Sequence, residues 1–587
     1  MGNRQRTHCY TGTSREPMRL TLLLLLLAPV LAPAQTEKLH ALFSDAFEAQ
    51  LREAPEMATA IGRNEYNDRW SDWSPAAIEG HRARVTALIA ALDQVSLSDV
   101  PPQDQLSAKL LRYVSKQDLD DKLIQLYLLR VSPLYGFHNA VYITLDRMPA
   151  RSAADYANII ARLRAIPVYV DQNIALLDEG IALGIVQPRV VADRVSQQIA
   201  VQAGQDANTT ALLAAFRNFP PNIPKDEQEK LRSQAVAAYQ QQFLPAWGKL
   251  QGYMKGTYAL KARRATAVTA LPNGQELYRL LIERATTTRM TPDEIHRLGE
   301  SEVRRIEAEM EAVVRETGFS GTLAEFQSHL AASPEQHFRT KEEMLAWCRN
   351  IAKIIEPQLP RLFAHMPAFV YGVRAIPEDR EQASASNAEF PKPDGSGPGW
   401  MNLNTYQPEK QVRYDKESLT LHEAVPGHIL QGAVTQSVEG LPQFRRFYFN
   451  SAYGEGWALY AESLGSDLGV YRDPYTRFGR LTSERFRAVR LVVDTGLHAL
   501  GWSREQAVAY FAQHAPEESA AEIDRYISWP AQALAYKLGE LKIQELRRAA
   551  EKALGPKFDI RAFHDAVLRN GALPLDLLDV QVRAYFQ

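Results

Sequence analysis

The chain has 587 residues, 45% of them hydrophobic and 23% charged, with 67 Lys and Arg against 69 Asp and Glu. That length exceeds one ordinary domain, and the composition is that of a soluble globular protein. A net charge close to zero removes the argument for a nucleic-acid surface or a polybasic membrane contact.

From Met18 the chain reads MRLTLLLLLLAPVLAPAQ. Arg19 opens it, an apolar run too short to span a bilayer well follows, and Ala32-Pro33-Ala34 resembles an A-x-A cleavage site. Residues 1–34 are therefore expected to be a signal peptide, cut near Ala34. Met18 is an alternative start, because Met1 to Pro17 are unusually polar for such a segment. The competing reading is an uncleaved anchor or a buried helix. No Cys follows the apolar core, so lipid attachment there is not expected. The expected location is periplasmic or secreted, with no stable membrane anchor after cleavage. Of the two cysteines, Cys9 leaves with the signal and Cys348 stays. One Cys closes no internal disulfide, so stability must come from a large core, and any metal must be held by His and carboxylates.

The rest reads as mainly helix, divided into an N-terminal helical region over 35–270 and a catalytic helical region over 271–587. Periodic runs that interleave charge with apolar positions predict helices at 152–180, 228–255, 341–355 and 540–553. Thr291-Pro292-Asp293-Glu294 combines a capping hydroxyl, a Pro at the first helical position and early acids, and predicts a helix to about Val314. Residues 204–226, with Phe219-Pro220-Pro221-Asn222, are expected to be a loop. Residues 374–410 are the strongest non-helical stretch. Within them a Pro/Gly-rich turn to Gly399 leads into Trp400-Met401-Asn402-Leu403-Asn404, expected to be a strand. It is either a strand that binds a substrate backbone by strand addition or an ordinary surface hairpin.

Just downstream lies Leu421-His422-Glu423-Ala424-Val425-Pro426-Gly427-His428. Peptide hydrolysis near neutral pH needs a nucleophile better than water. A zinc ion held by neutral imidazoles and a carboxylate lowers the pKa of bound water toward ~7. A Glu beside the first His can take the water proton and pass it to the leaving amine. In the familiar H-E-x-x-H motif the two His share a helix face. Here the second His is at i+6, about 240° away on a regular helix. The imidazoles converge only if the helix is interrupted between them, and Pro426-Gly427 is suited to interrupt it. The third ligand is sought in Tyr453-Gly454-Glu455-Gly456-Trp457-Ala458-Leu459-Tyr460-Ala461-Glu462. Its two acids are seven residues apart and share a helix face. Glu455 is assigned to the metal and Glu462 to orienting a His, with the reverse assignment left open.

Several segments, in this order, resemble the bacterial "domain of unknown function 885" family. They are 286–300, His422 to His428, Glu455 to Glu462, Val493-Asp494-Thr495-Gly496-Leu497-His498, Asp524 to Pro530 and Gln532 to Lys537. The resemblance covers nearly all of the chain past residue 34. It implies a large helical fold with a deep channel, as in angiotensin-converting-enzyme-like and oligopeptidase folds, a small β element beside the metal-site helix, and a zinc peptidase with a Glu third ligand. Family members often carry a second His after the Gly-His pair, where this chain has Ile429.

The later segments contain further candidates. Arg490, Asp494 and His498 are spaced by four, so Asp494 is expected to fix the tautomer of His498, freeing its other nitrogen for an oxyanion or the substrate. Tyr536 and Tyr526 are candidate phenol donors, and Arg525 or Lys537 could bind a substrate carboxylate. The expectation is an exported zinc peptidase acting on short peptides: metal on His422, His428 and Glu455, and Glu423, His498 and Tyr536 catalytic. Glu462 and Asp494 stand behind them, and Arg525 and Tyr526 on the substrate. The alternatives are a non-catalytic peptide binder on the same scaffold and a metal hydrolase of amides or esters.

Overall fold

The computed structural model describes residues 31–120, 125–381, 384–392, 395 and 397–586. Most of the expected signal peptide, including Cys9 and Met18, lies outside the described residues. The first described helix is Leu31–Glu53. No helix of the described residues is long and apolar enough to cross a membrane.

The protein is mainly helical with one small three-stranded sheet. The expected helices form as Ala153–Leu183, Pro292–Glu316, Lys341–Ile355 and Ala535–Leu554; the 228–255 run spans Lys225–Ala238 and Leu244–Tyr253, joined by a wider π turn. Thr291 caps the Pro292–Glu316 helix reciprocally: its hydroxyl accepts from the Glu294 N–H, and the Glu294 carboxylate accepts from the Thr291 N–H at 2.8 Å. Ile295, Val303, Ile306, Met310 and Val313 make its buried stripe at helical spacing, and that stripe packs along the Pro474–His498 helix. The expected 204–226 loop is interrupted by a short 3-10 turn, Ala211–Phe216, whose Leu212, Leu213 and Phe216 are buried. Three apolar side chains at that spacing need a core to face, and polar flanks hid them in a sequence reading. The largest apolar cluster runs through Trp70, Leu163, Trp247, Ile306, Val489 and Tyr526, so it draws on residues from both sides of position 270. Cys348 is buried and unpaired, and burial pushes its thiol up to about 12.

The sheet comprises β1 (Tyr371–Ala375), β2 (Asn387–Glu389) and β3 (Gly399–Leu403), in the order β1-β3-β2. The expected strand is β3, and its place differs from expectation. It is the middle strand, parallel to β1 through Val373↔Met401 and antiparallel to β2 through Ala388↔Met401. Both of its edges are paired, so it has no free N–H and C=O row for a substrate backbone.

A second helix pair sets the site. Ser451–Ser463 crosses Ala535–Leu554 at Gly456 and Gly539. A Cβ on Gly539 would collide with the Ala452 carbonyl, and one on Gly456 would sit 2.5 Å from Gly539 Cα. Such near backbone contact tolerates only glycine, and it holds the residue before Gly456, Glu455, at a fixed height.

Candidate metal centre

The helix breaks between the two histidines. Lys416–Glu423 ends at Ala424 (φ −93°, ψ −107°), and His428–Ser437 begins after Gly427 (φ −73°, ψ −133°). The chain doubles back so tightly that a Cβ on Gly427 would collide with the carbonyls of His422 and Leu421. The Pro426 carbonyl, released by the break, accepts from the Trp457 indole N–H at 2.9 Å. A group freed from the helix ladder is thus satisfied from the neighbouring helix, as a buried carbonyl requires.

The two imidazoles now face one another at 4.9 Å between ring centres and nearly perpendicular. Glu455 Oε2 lies between them, 3.5 Å from His422 Nε2 and 3.4 Å from His428 Nε2. One ligand atom from each of the three residues lies within 4.8 Å of the others. With metal–ligand bonds of about 2.0–2.2 Å, the edge of a zinc tetrahedron is about 3.3–3.6 Å, so the two spacings to Glu455 fit a shared ion better than hydrogen bonds of ~2.8 Å. On its far side His422 Nδ1 meets Glu462 Oε1 at 2.9 Å, the carboxylate–imidazole contact that fixes a ligand's ring orientation. His428 Nδ1 is buried with no hydrogen-bond partner among the described residues. The three residues therefore fit a divalent ion with His and carboxylate preference.

Electrostatics tie the three residues to one another. Burial alone lowers His422, but the contacts with Glu455 and Glu462 outweigh it and bring it up to about 9. Glu455 is likewise opposed by burial and driven well below the usual carboxylate range by the two imidazoles. Glu423, beside His422, has its carboxyl raised by burial, an effect only partly countered by His422 and His428. A buried Glu raised toward neutrality is suited to take and return a proton.

The remaining predicted residues fall in two places. The expected Asp494–His498 pair does not form. His498 Nδ1 accepts from the Val268 N–H and Nε2 donates to the Tyr526 carbonyl, each at 3.0 Å. Both ring nitrogens are used by backbone, and burial pushes the imidazole down to about 4. Asp494 instead accepts from Tyr278 Oη at 2.6 Å and from the Ala531 N–H at 3.1 Å. Spacing by four put the two on one helix face, but partners from other elements reached each of them first. Lys537 is also spoken for: it is fully buried, with Glu484, Glu540 and Glu302 at 2.8, 2.9 and 3.1 Å.

Arg525, Tyr526 and Tyr536 do gather, around Arg490. Tyr526 Oη accepts from Arg490 Nε and donates to Glu522, both at 3.0 Å. Arg525 Nη1 donates to the same Glu522 at 3.0 Å, and its Nη2 to the Gln532 side-chain oxygen and, at 3.5 Å, to Tyr536 Oη. Two residues were missed from sequence. Arg487, 3.9 Å from Glu462, adds a positive charge near Glu423; its i, i+3 spacing to Arg490 was a usable signal. Tyr135, largely exposed, packs edge-on against Trp529 at 4.7 Å with Arg525, Tyr536 and Glu455 in electrostatic reach. Nothing in its local sequence marked it.

The chain belongs to the family described as "Bacterial protein of unknown function (DUF885)", which it matches over residues 55–582. No curated protein matches it. Its fold is similar to the crystal structure of a candidate lipoprotein from Colwellia psychrerythraea, at 26% identity and TM-score 0.89, covering 94% of this chain and 99% of that one. It is also similar in fold to a candidate lipoprotein of unknown function from Shewanella oneidensis, at 18% identity and TM-score 0.69, covering 92% and 99%.

Proposed function

We propose that this protein is an exported zinc-dependent peptidase of short peptides, reached through a deep channel in the helical fold. The observation that carries the reading is the convergence of His422, His428 and Glu455 on one point with Glu423 alongside and Glu462 bracing His422. The apolar run after Arg19 and the lipoprotein descriptions of the two similar structures support export to the cell envelope.

Bound zinc would supply Lewis acidity to the scissile carbonyl and to the attacking water. Glu423 takes the water proton as the water oxygen bonds to the carbonyl carbon. The C–N bond then breaks, and Glu423 returns the proton to the departing amine. Glu462 keeps His422 in one tautomer throughout, with Nε2 toward the metal. The test is zinc content and peptide hydrolysis of the purified protein, before and after chelation and zinc return. One zinc per chain and restored hydrolysis are expected. A protein that binds peptides, holds no zinc and cleaves nothing would be the non-catalytic binder instead, and cleavage of esters but not peptides would move the substrate class.

A further inference from the structure

Next to the candidate metal centre runs a line of guanidinium groups. Arg487 and Arg490 are three residues apart on the Pro474–His498 helix, on one face and one turn apart. Arg487 reaches Glu462, beside the metal ligands. Arg490 lies a turn away from it and meets Arg525 of the Ala521–Ser528 helix.

Arg490 is held unusually firmly. It is 5% exposed, and its guanidinium carbon lies 4.0 Å from the Phe486 ring centre and 4.5 Å from that of Tyr536. Nε donates to Tyr526 and Nη2 to Glu522. Nη1 is buried and has no hydrogen-bond partner among the described residues. Arg490 and Arg525 share the single carboxylate of Glu522, at 3.2 and 3.0 Å. Glu518, in electrostatic reach of Arg487 and Arg490, and Asp494, in reach of Arg525, are each pushed by burial up to about 7, so they neutralise the pair only in part. Two arginines with one full counter-charge, and a buried donor left over, form a receptor for another carboxylate. Arg487 connects it to the metal residues, lying one turn from Arg490 and 3.9 Å from the Glu462 carboxylate that meets His422.

We propose that Arg490 and Arg525 anchor the C-terminal carboxylate of the peptide, so that the enzyme releases short pieces from the C-terminal end. The inference rests on the peptidase reading above and names its substrate end. An aromatic-bracketed guanidinium loses little freedom on binding, which favours a fixed, planar acceptor such as a carboxylate over the neutral amide of an internal residue.

The test uses the zinc-loaded protein and two matched N-blocked peptides that differ only in ending as a free carboxylate or as an amide. Fragments are read by mass spectrometry, and binding of the same pair to the Glu423→Gln protein is read by calorimetry. The free acid is expected to be cleaved and bound at least about tenfold better, with cuts confined to its C-terminal end. Arg525→Gln and Arg490→Lys should each shrink the acid-to-amide ratio toward one; the more exposed Arg525 serves if the Arg490 variant does not fold. Equal cleavage of both peptides, cuts spread along the chain, or a ratio that survives the Arg525 change overturns the anchor while leaving the peptidase reading intact. Preferential binding of the acid without cleavage of either peptide keeps the anchor and sinks the peptidase reading. Neither cleavage nor preference sinks both.

Discussion

Two clusters of buried charge are built on opposite plans, one on the Pro292–Glu316, Pro474–His498 and Ala535–Leu554 helices and the other on Lys416–Glu423, His428–Ser437 and Ser451–Ser463. Around Lys537, which is fully buried, Glu484, Glu540 and Glu302 all come within 3.1 Å, and Glu484 is also paired with Arg305 and Arg480. Burial alone would lower the Lys537 ammonium, but Glu540, Glu484 and Glu302 raise it on balance, so it stays charged. Each charge is closed on a neighbour. Around Glu455 the polar atoms stop short, at 3.4 and 3.5 Å, and His428 Nδ1 and Glu462 Oε2 have no partner among the described residues. Complete internal pairing is what a fold uses as glue, whereas convergent groups left incompletely paired are what a ligand completes.

This contrast can be broken at either cluster. The largest effect is expected at Glu423→Gln, a loss of roughly 10²–10⁴-fold in peptide turnover with zinc content and melting temperature held; wild-type turnover by the purified variant would remove Glu423 from the mechanism. Next is Lys537→Ala, which removes the cation three glutamates share and leaves buried Glu540 with none among the described residues, and should cost about 3–5 kcal/mol in urea unfolding, with the folded fraction still binding zinc one to one. If instead zinc is lost and stability is kept, the two clusters have been assigned the wrong way round.

His498 sharpens the contrast through pH. Burial, with the Arg263 charge in reach, pushes the folded imidazole down to about 4 from 6.5, against the Tyr526 carbonyl that favours its proton. Between those values the unfolded chain takes a proton that the native one refuses, so stability falls as pH drops from about 6.5 to 4. The His498 share of this fall is on the order of 3 kcal/mol, complete near pH 4 and absent above 6.5. Urea midpoints should show His498→Gln gaining on the wild type as pH drops over that range; an unchanged difference would mean the ring is not buried neutral. Buried Asp494, pushed up to about 7, acts in the opposite direction, losing stability as pH rises toward 7. The smallest effect is expected at Glu462→Gln, a roughly 10–100-fold weaker zinc affinity in competition with a chelator, because an oriented His422 contributes only part of the binding.

Much of the candidate metal centre was legible because its requirements are local. His422 and His428 at i+6 demand a broken helix, and Pro426-Gly427 in that gap is the residue pair that breaks one. Glu455 and Glu462 at i+7 sit on one helix face, so one can meet the metal side of His422 and the other its far side. The long helices were legible for the same reason, through caps such as Thr291 and Glu294 and a buried stripe at helical spacing.

What failed to read through were partnerships between distant elements. Asp494 and His498 share a face, yet Tyr278, Ala531, Val268 and Tyr526 claimed their polar atoms from elsewhere in the chain. The Trp400–Leu403 strand was foreseen, but its position between two others depended on Tyr371–Ala375 and Asn387–Glu389, and that pairing took the edge a substrate would have used. Arg490 looked like one more helical arginine until Phe486, Tyr536, Tyr526 and Glu522 closed around it. Period, caps and breakers act within a few residues, so the sequence alone determined the helices and the broken motif between His422 and His428. Which buried charges are closed on each other, and which are left to meet a ligand, was decided only when tertiary packing assigned each polar atom a partner or none.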